Sequence, residues 1–501
     1  MSPHHALRQL DKIRRAAGPR TTTGLTDAEL TPFLATDAAL ARAIQEAVQV
    51  HASLKPTWGA ALSGPESTLI EALQQHYVNF YDAEAVNPYV PLAARGPWIV
   101  TSHGAVLHDS GGYGMLGFGH APDDVLAALA RPDVIANIMT PSFSQARFAE
   151  ALRTEVGHTR EDGCPFAKFI CMNSGSEAVT VAARISDINA ARLTAPGAPH
   201  AGRQIKFLAI TGGFHGRTDR PAQASSSSAR KYQAHLASFR DQQRLVTVPP
   251  NDVAALRAAF AKADDDGVFF EMMLVEPVMG EGNPGMAMTR AFYDEARRLT
   301  RQMGTVLLVD AIQAGLRAQG VLSLVDYPGF TDADAPDMET WSKALNAAQY
   351  PLSVIGLTEH AASLYARGVY GNTMTTNPRA LEVGTATLRA ITPELRANIR
   401  TQGEAMVEAL RALKDELPGV ILSVQGTGLL LAAELDPTRF PVTGPNNVEH
   451  ALRCRGLGVI HGGQNALRFT PHFRITSAEI ALIVRVVGEV LRSYEARIAA
   501  K

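Results

Sequence analysis

The stretch "GTVLLVDAIQ", residues 304–313, decides how the rest of the chain is read. An apolar, β-branched run from Thr305 to Val309 ends on a carboxylate, Asp310. Such a run suits a strand buried on both faces, as in a parallel sheet covered by helices. Comparable runs recur at 166–171, 205–210, 245–248, 272–278 and 351–357, with helical stretches such as 177–193, 253–263 and 290–303 between them. The alternation predicts an α/β fold around a mainly parallel sheet. Ligands of such sheets bind beyond the carboxyl ends of the strands, so residues just after each run are the candidates for chemistry.

Working outward, the 501 residues allow two or three domains or one large two-lobed unit. Residues 1–115 are expected to form a helical segment and part of a small domain, 116–375 a large domain, and 376–501 a C-terminal α+β lobe of the small domain. In the first segment, Thr36-Asp37 can cap the run that follows, and Pro65-Glu66 can open another helix. From Gly96 to His120, short β-like pieces alternate with glycines, which predicts a small antiparallel element and a loop holding Tyr113. The C-terminal part reads as a helical region over 378–415, a hairpin around Gly426-Thr427-Gly428 and a last helix from Ala478. The patch Ser225–Ser228 reads as a surface or site-covering loop.

With 46% hydrophobic and 19% charged residues, the composition is that of a globular protein with a sizeable core. A net charge of −2 gives no electrostatic reason to expect nucleic acid or an anionic membrane as partner. Cys164, Cys171 and Cys454 show no metal or disulfide spacing, which suits a reducing cytoplasm. No run of about 18 apolar residues predicts a membrane span, and no signal-peptide core follows the basic start.

Three stretches carry the chemistry. "NSGSEA" (173–178) reads as a strand-to-helix turn in which Gly175 allows close approach and Ser176 offers an N–H and a hydroxyl. A helix N-terminus of this kind suits a phosphate. "TGGFHGRT" (211–218) places Phe214, a flat ring suited to stacking, and His215 after another apolar run. "TWSKAL" (340–345) supplies an amine, Lys343. Asp310 and Ile312 are two apart on a strand, so their side chains are expected to share a face. The carboxylate would then meet a pyridinium nitrogen while Ile312 packs on the ring opposite Phe214 and Gln313 reaches a phenolic oxygen. Amine, carboxylate, phosphate nest and aromatic plate together are the parts needed to hold pyridoxal 5'-phosphate (PLP). A lysine beside that ring is expected to have a lowered pKa, which favours imine formation.

The order "NSGSEA", "GGFHGRT", "EPVMGEG" (276–282), "VDAIQAG" (309–315), "PDMETWSKAL" (336–345) and "GNTMTTNP" (371–378) resembles the class III PLP-dependent aminotransferases, from about Asn87 to the C-terminal helix. The resemblance implies the PLP-dependent transferase fold type I, with a large domain and a small α+β domain built from both termini. It implies that Lys343 is the imine-forming lysine and proton carrier, Asp310 the pyridinium partner and Gln313 the phenol-oxygen donor. Gly175 and Ser176 match the phosphate nest, Phe214 the stacking plate with His215 beside it, and Glu276 and Ile312 further cofactor-binding positions. Thr373 matches a threonine that reaches the phosphate of the other subunit, implying a homodimer with shared sites. For the substrate, Tyr113 is similar to a pocket tyrosine and Arg217 to a grip on a distal carboxylate. Arg468 is similar to a grip on an α-carboxylate, and Glu281 to the glutamate that neutralises it. No metal is implied.

The implied activity is transfer of an amino group, terminal on its donor, from an amino acid or diamine to 2-oxoglutarate. An ammonia-lyase, racemase or aminomutase on the same scaffold is the alternative. Three departures from the family pattern bear on the substrate: Ala311 follows Asp310 in place of an acid, Thr375-Thr376 stand where two glycines are usual, and Arg220 is an extra arginine.

Overall fold

The apolar runs of the middle of the chain assemble into one seven-stranded sheet. In a computed structural model that describes residues 2–134, 137–240 and 243–499, the strand order is Lys168–Met172, Ser353–Leu357, Met338–Trp341, Val306–Asp310, Val268–Val275, Gln204–Ile210 and Leu245–Val248. Neighbours from Met338–Trp341 onward run parallel. Ser353–Leu357 is antiparallel to both its neighbours. Every residue of Val268–Val275 and Val306–Asp310 is buried, which is why these strands read as unbroken apolar runs. Separate apolar clusters cover the two faces, one with Phe270, Phe292 and Leu307, the other with Ala178, Val181, Ile185 and Leu308.

Two expectations are corrected here. The strand Met338–Trp341 lies inside the sheet although no apolar run marks it. Its Glu339 is fully buried, accepting the Leu324 N–H at 2.9 Å and the Ser323 hydroxyl. Burial pushes the Glu339 carboxyl up to about 8, so the sheet carries it as a neutral acid. At the other site, the strand ends at Asp310 and Ile312 lies in the turn beyond it, so the two do not share a strand face.

By its contacts this unit comprises Asp123–Arg400 with Gly426–Leu430. The helix Pro378–Arg389 packs on the helices Asp123–Leu129 and Phe143–Glu155, and its buried Glu382 takes the guanidinium groups of Arg147 (2.9 Å) and Arg131 (3.2 Å). The helical region over 378–415 is also two helices, Pro378–Arg389 and Pro393–Glu416. Pro393 forces the break, because it lacks an N–H and disfavours helical geometry in the residue before it.

The other unit comprises Met1–Pro122, Thr401–Gln425 and Leu431–Lys501. Strands Pro91–Arg95, Trp98–Thr101 and Val106–Asp109 form an antiparallel meander, extended by Leu457–Gly458 in parallel. Leu430–Leu435, Ala466–Phe469 and Ile460–Gly462 belong to a second antiparallel sheet. Asp37 caps the helix Ala38–Leu62 through the Ala39 N–H (2.8 Å), and its second oxygen takes the Trp98 indole N–H at 2.6 Å. That one carboxylate fixes both the helix start and its position on the meander.

The final helix, Ser477–Ala499, begins with a reciprocal cap: Thr476 N–H donates to Glu479 Oε2 (2.7 Å), and Glu479 N–H to Thr476 Oγ1 (3.3 Å). The other oxygen of Glu479 meets the rings of His108 (3.1 Å) and His472 (2.8 Å). Among the described residues no helix is long and apolar enough to cross a membrane.

Candidate active site

Asp310 stands at the carboxyl end of its strand and is 4% exposed. Its Oδ2 lies 2.9 Å from His215 Nδ1, and its Oδ1 accepts the Ile312 N–H at 3.2 Å and the Thr340 hydroxyl at 3.4 Å. A carboxylate offers about four lone-pair positions, so it can still accept a further donor. His215 is completely enclosed. Burial alone would lower its pKa, but the hydrogen bond and charge of Asp310, with Glu276 behind, raise it. Its Nε2 is buried with no hydrogen-bond partner.

The turn that carries Phe214 and His215 is held from below. Glu276 accepts the Phe214 N–H on Oε1 (3.0 Å) and the Gly280 N–H on Oε2 (2.9 Å), which joins the loop 276–282 to the turn 212–216. At Gly282 a Cβ would fall 2.1 Å from the Gly212 carbonyl, so the two loops touch backbone to backbone. Burial pushes the Glu276 carboxyl up to about 7, opposed by His215 and reinforced by Asp310. Two serines support the turn from the far side: Ser225 Oγ accepts the His215 N–H and Ser226 Oγ the Gly212 N–H, both at 2.8 Å. Ser225 is fully buried and Ser226 partly so, while Ser227 is exposed, so the first two serines of the patch brace the turn.

Lys343 follows the strand Met338–Trp341 and has φ +45°, a left-handed value unusual for a side chain of its length. Its Nζ donates to Gln313 Oε1. Gln313 Nε2 is buried and has no partner. At Gly280 a Cβ would lie 2.3 Å from Gln313 Cγ, so the glycine makes room for this side chain.

Ser174 caps the helix Gly175–Leu193, accepting the Glu177 N–H at 3.3 Å. The first N–H groups of such a helix have no partner within it and can face an anion. A Cβ on Gly175 would sit 2.7 Å from Ile312 Cδ1, so Ile312 packs on the phosphate-type turn although it is off the strand. Ser176 Oγ accepts the Arg217 N–H at 3.1 Å, which leaves the hydroxyl proton to donate. The exposed Arg217 places its guanidinium over the Phe214 ring, 5.2 Å from the centroid. Glu281 is half-buried on the loop beyond Gly280. Thr373 is exposed. Its neighbour Asn372 donates to Glu177 Oε1 at 2.6 Å, and the Tyr370 hydroxyl donates to the same oxygen.

The remaining two candidates lie in the other unit. Tyr113 has φ +48° in the turn Gly112–Gly114, with Asp109 Oδ1 taking the Gly111 and Gly112 N–H groups at 2.9 and 3.0 Å. Burial raises its phenol pKa against the pull of Arg453 and Arg468. Arg468 is buried on the strand Ala466–Phe469, opposite Ala432 and Ile460. The family departures also have places: Ala311 is buried with its N–H on the Thr340 carbonyl (3.0 Å), and Arg220 binds Glu271 at 2.5 Å. Thr376 takes φ +60°, a value that suits the glycine usual there. Ser225 and Ser226, read from the sequence only as loop, and Thr340 are supporting residues.

In the large unit this donor set fits PLP. Gln313 Nε2 is a buried donor with nothing to serve, Asp310 is a braced acceptor at the strand end, and the Gly175 turn has no room for a side chain.

The class-III aminotransferase family model matches residues 80–491. Acetylornithine aminotransferase of Xanthomonas campestris pv. campestris is 30% identical over 376 residues, 74% of this chain and 85% of the relative. The [LysW]-aminoadipate semialdehyde transaminase of Deinococcus radiodurans is 27% identical, over 83% of this chain and 90% of the relative. The crystal structure of ornithine aminotransferase from Toxoplasma gondii ME49 has a TM-score of 0.71 at 22% identity, covering 86% of this chain and 96% of that one, and is alike in fold. With a family match over most of its length, this chain belongs to the class-III aminotransferases, which are PLP-dependent enzymes of fold type I.

Proposed function

We propose that the protein moves an amino group, terminal on its donor, from an amino acid or diamine to 2-oxoglutarate, with Lys343 as the group that binds PLP covalently and carries the proton. The observation that carries this reading is the pairing of Lys343 Nζ with Gln313, beside an Asp310 braced by His215. The names of the acetylornithine and aminoadipate semialdehyde relatives support a terminal amino group, since a semialdehyde receives nitrogen at its chain end.

When bound, PLP supplies an electron sink for the carbon that loses its proton. This chain's residues do the rest. Asp310 would hold a positive charge on the ring nitrogen, and the buried His215 keeps that carboxylate in place. Gln313 would serve the ring oxygen with its buried N–H group, Ile312 and Phe214 would bracket the ring, and Gly175, Ser176 and the helix behind them would hold the phosphate. Lys343, the residue that would hold the cofactor, would also carry the proton. Arg217 grips a distal carboxylate and Arg468 an α-carboxylate in bidentate fashion. Glu281 is the acid that would neutralise an arginine grip while the amine donor is bound. Tyr113 borders the donor.

The protein acts as a homodimer in which Thr373 of each copy reaches the other's phosphate. Exposed Ile138, Met139, Phe143 and Met374 on the large unit are apolar surface for such an interface. The three unpaired cysteines fit a cytoplasmic location.

The test is a panel of ω-amino acids, diamines and α-amino acids offered to PLP-loaded protein with 2-oxoglutarate. Terminal donors are expected to bleach the cofactor's visible absorbance and to yield glutamate. Turnover that needs no 2-oxo acid, or borohydride trapping of cofactor on a peptide other than that of Lys343, overturns the reading.

A further inference from the structure

The phosphate-type turn of the large unit ends on an acid. Glu177 is the third residue of the helix Gly175–Leu193, half-buried, and no part of the proposed reaction uses it. A carboxylate in a first helical turn gains from the field there. A phosphate would draw on the same field, and two like charges side by side oppose each other. The oxygens of Glu177 are taken up by other donors. Oε2 accepts the Asn173 N–H at 2.8 Å, back across the turn. Oε1 accepts the Asn372 carboxamide at 2.6 Å and the Tyr370 hydroxyl. Burial alone would raise the Glu177 carboxyl, but Tyr370, Asn173 and Asn372 hold it below its ordinary value, so it is an anion at neutral pH.

These bonds fasten two turns to one group. On one side, Glu177 takes the Asn173 N–H while its own N–H goes to Ser174 Oγ, a reciprocal pair that closes residues 173–177 around Gly175. On the other side, Asn372 is the pivot of the turn that carries Thr373. Its Oδ1 accepts the Met374 N–H, and its carbonyl accepts the Thr375 hydroxyl, both at 2.9 Å. Two further bonds steady the approach to that turn: Arg184 of the same helix donates to the Val369 carbonyl, and the Tyr365 hydroxyl to the Tyr370 carbonyl, each at 3.1 Å. Thr376 follows at φ +60°, a strained value that the surrounding structure has to maintain. A continuous path of hydrogen bonds thus runs from the Gly175 turn through one carboxylate to the Thr373 turn.

We propose, on the reading that these two turns serve PLP phosphates, that Glu177 is a positioning residue for the phosphate. It touches neither cofactor nor substrate. It holds the Gly175 turn open to its own phosphate and presents Thr373 to the phosphate of the second copy. Its negative charge works against the phosphate, and the geometry it imposes outweighs that cost.

The experiment titrates apo-protein with PLP and, separately, with pyridoxal, which lacks the phosphate, and reads binding from intrinsic fluorescence. Glu177→Ala is expected to weaken PLP about tenfold while pyridoxal stays within about twofold, the order of effect of losing hydrogen bonds to a charged group. Glu177→Gln, which keeps one acceptor oxygen, and Asn372→Ala should each weaken PLP roughly threefold. Because Asn372 acts through the same carboxylate, Asn372→Ala should add nothing in the Glu177→Ala background. Equal losses for PLP and pyridoxal would mean a general loosening and overturn the assignment, as would PLP binding that is unchanged or tighter in Glu177→Ala. A wild type that binds PLP no better than pyridoxal would instead refute the phosphate nest itself, and the role of Glu177 with it.

Discussion

Each unit of this protein buries a histidine–carboxylate cluster, and the two are finished differently. In the unit built from both termini, Glu479 uses both oxygens, one for His108 and His472 and the other for Thr476. His108 spends its second nitrogen on Ser110 at 3.0 Å. Burial alone would raise the Glu479 carboxyl, yet its histidine partners hold it far below the usual range. These three side chains converge closely enough to ligate a cation, but their mutual hydrogen bonds already satisfy the carboxylate without one. In the sheet unit, Asp310 and His215 are as deeply buried, but His215 Nε2 and Gln313 Nε2 are left over. Buried polar groups in a finished core are paired. The difference separates a clasp from a place where something binds.

Exchanging the roles of the two clusters should therefore be impossible. Lys343→Ala is expected to lower turnover by roughly 10⁴-fold or more while the circular dichroism spectrum stays that of the folded protein; substantial remaining activity would break the contrast. Asp310→Asn should cost about 10²–10³ in kcat with little change in unfolding midpoint. Glu479→Ala should do the reverse. It leaves two buried rings without their acceptor and removes a helix cap, so denaturant unfolding should show a loss of about 3–5 kcal/mol, with turnover retained at permissive temperature.

The pH dependence of stability sharpens the same contrast, because the two carboxyls are shifted in opposite directions. The depressed Glu479 contributes stability above its unfolded pKa, roughly 4.3, which is lost as pH falls from there towards its folded value. Glu276, raised to about 7, contributes stability below its unfolded pKa that is lost as pH rises through about 7. In apo-protein, Glu276→Gln should flatten a decline on the order of 1–3 kcal/mol between those limits. Smaller still, Arg217→Ala or Arg468→Ala should raise the apparent KM for one carboxylate substrate about tenfold with kcat nearly kept. Lys343→Gly should unfold about 1 kcal/mol later than Lys343→Ala, because only glycine takes φ +45° without strain.

Much of the sheet unit was legible because burial on both faces writes itself as apolar runs, and because the chemistry follows the strand ends. What stayed hidden was hidden for physical reasons. The strand Met338–Trp341 carries a buried acid, Glu339, whose neutral state composition does not reveal. Ser225 looks like loop material until its hydroxyl is seen to hold the His215 N–H. Ile312 meets the Gly175 turn from beyond the strand, so the period-two argument named a suitable residue by a wrong route.

The double hydrogen bond made by Glu276 has a consequence for how such an enzyme diversifies. Since one carboxylate latches the Phe214 turn to the Gly280 loop, the two loops are held as a single piece. Arg217 and Glu281 lie just outside that latch, at the free edges of the same two loops. Residues at those edges can be exchanged while the latched platform beneath stays in register.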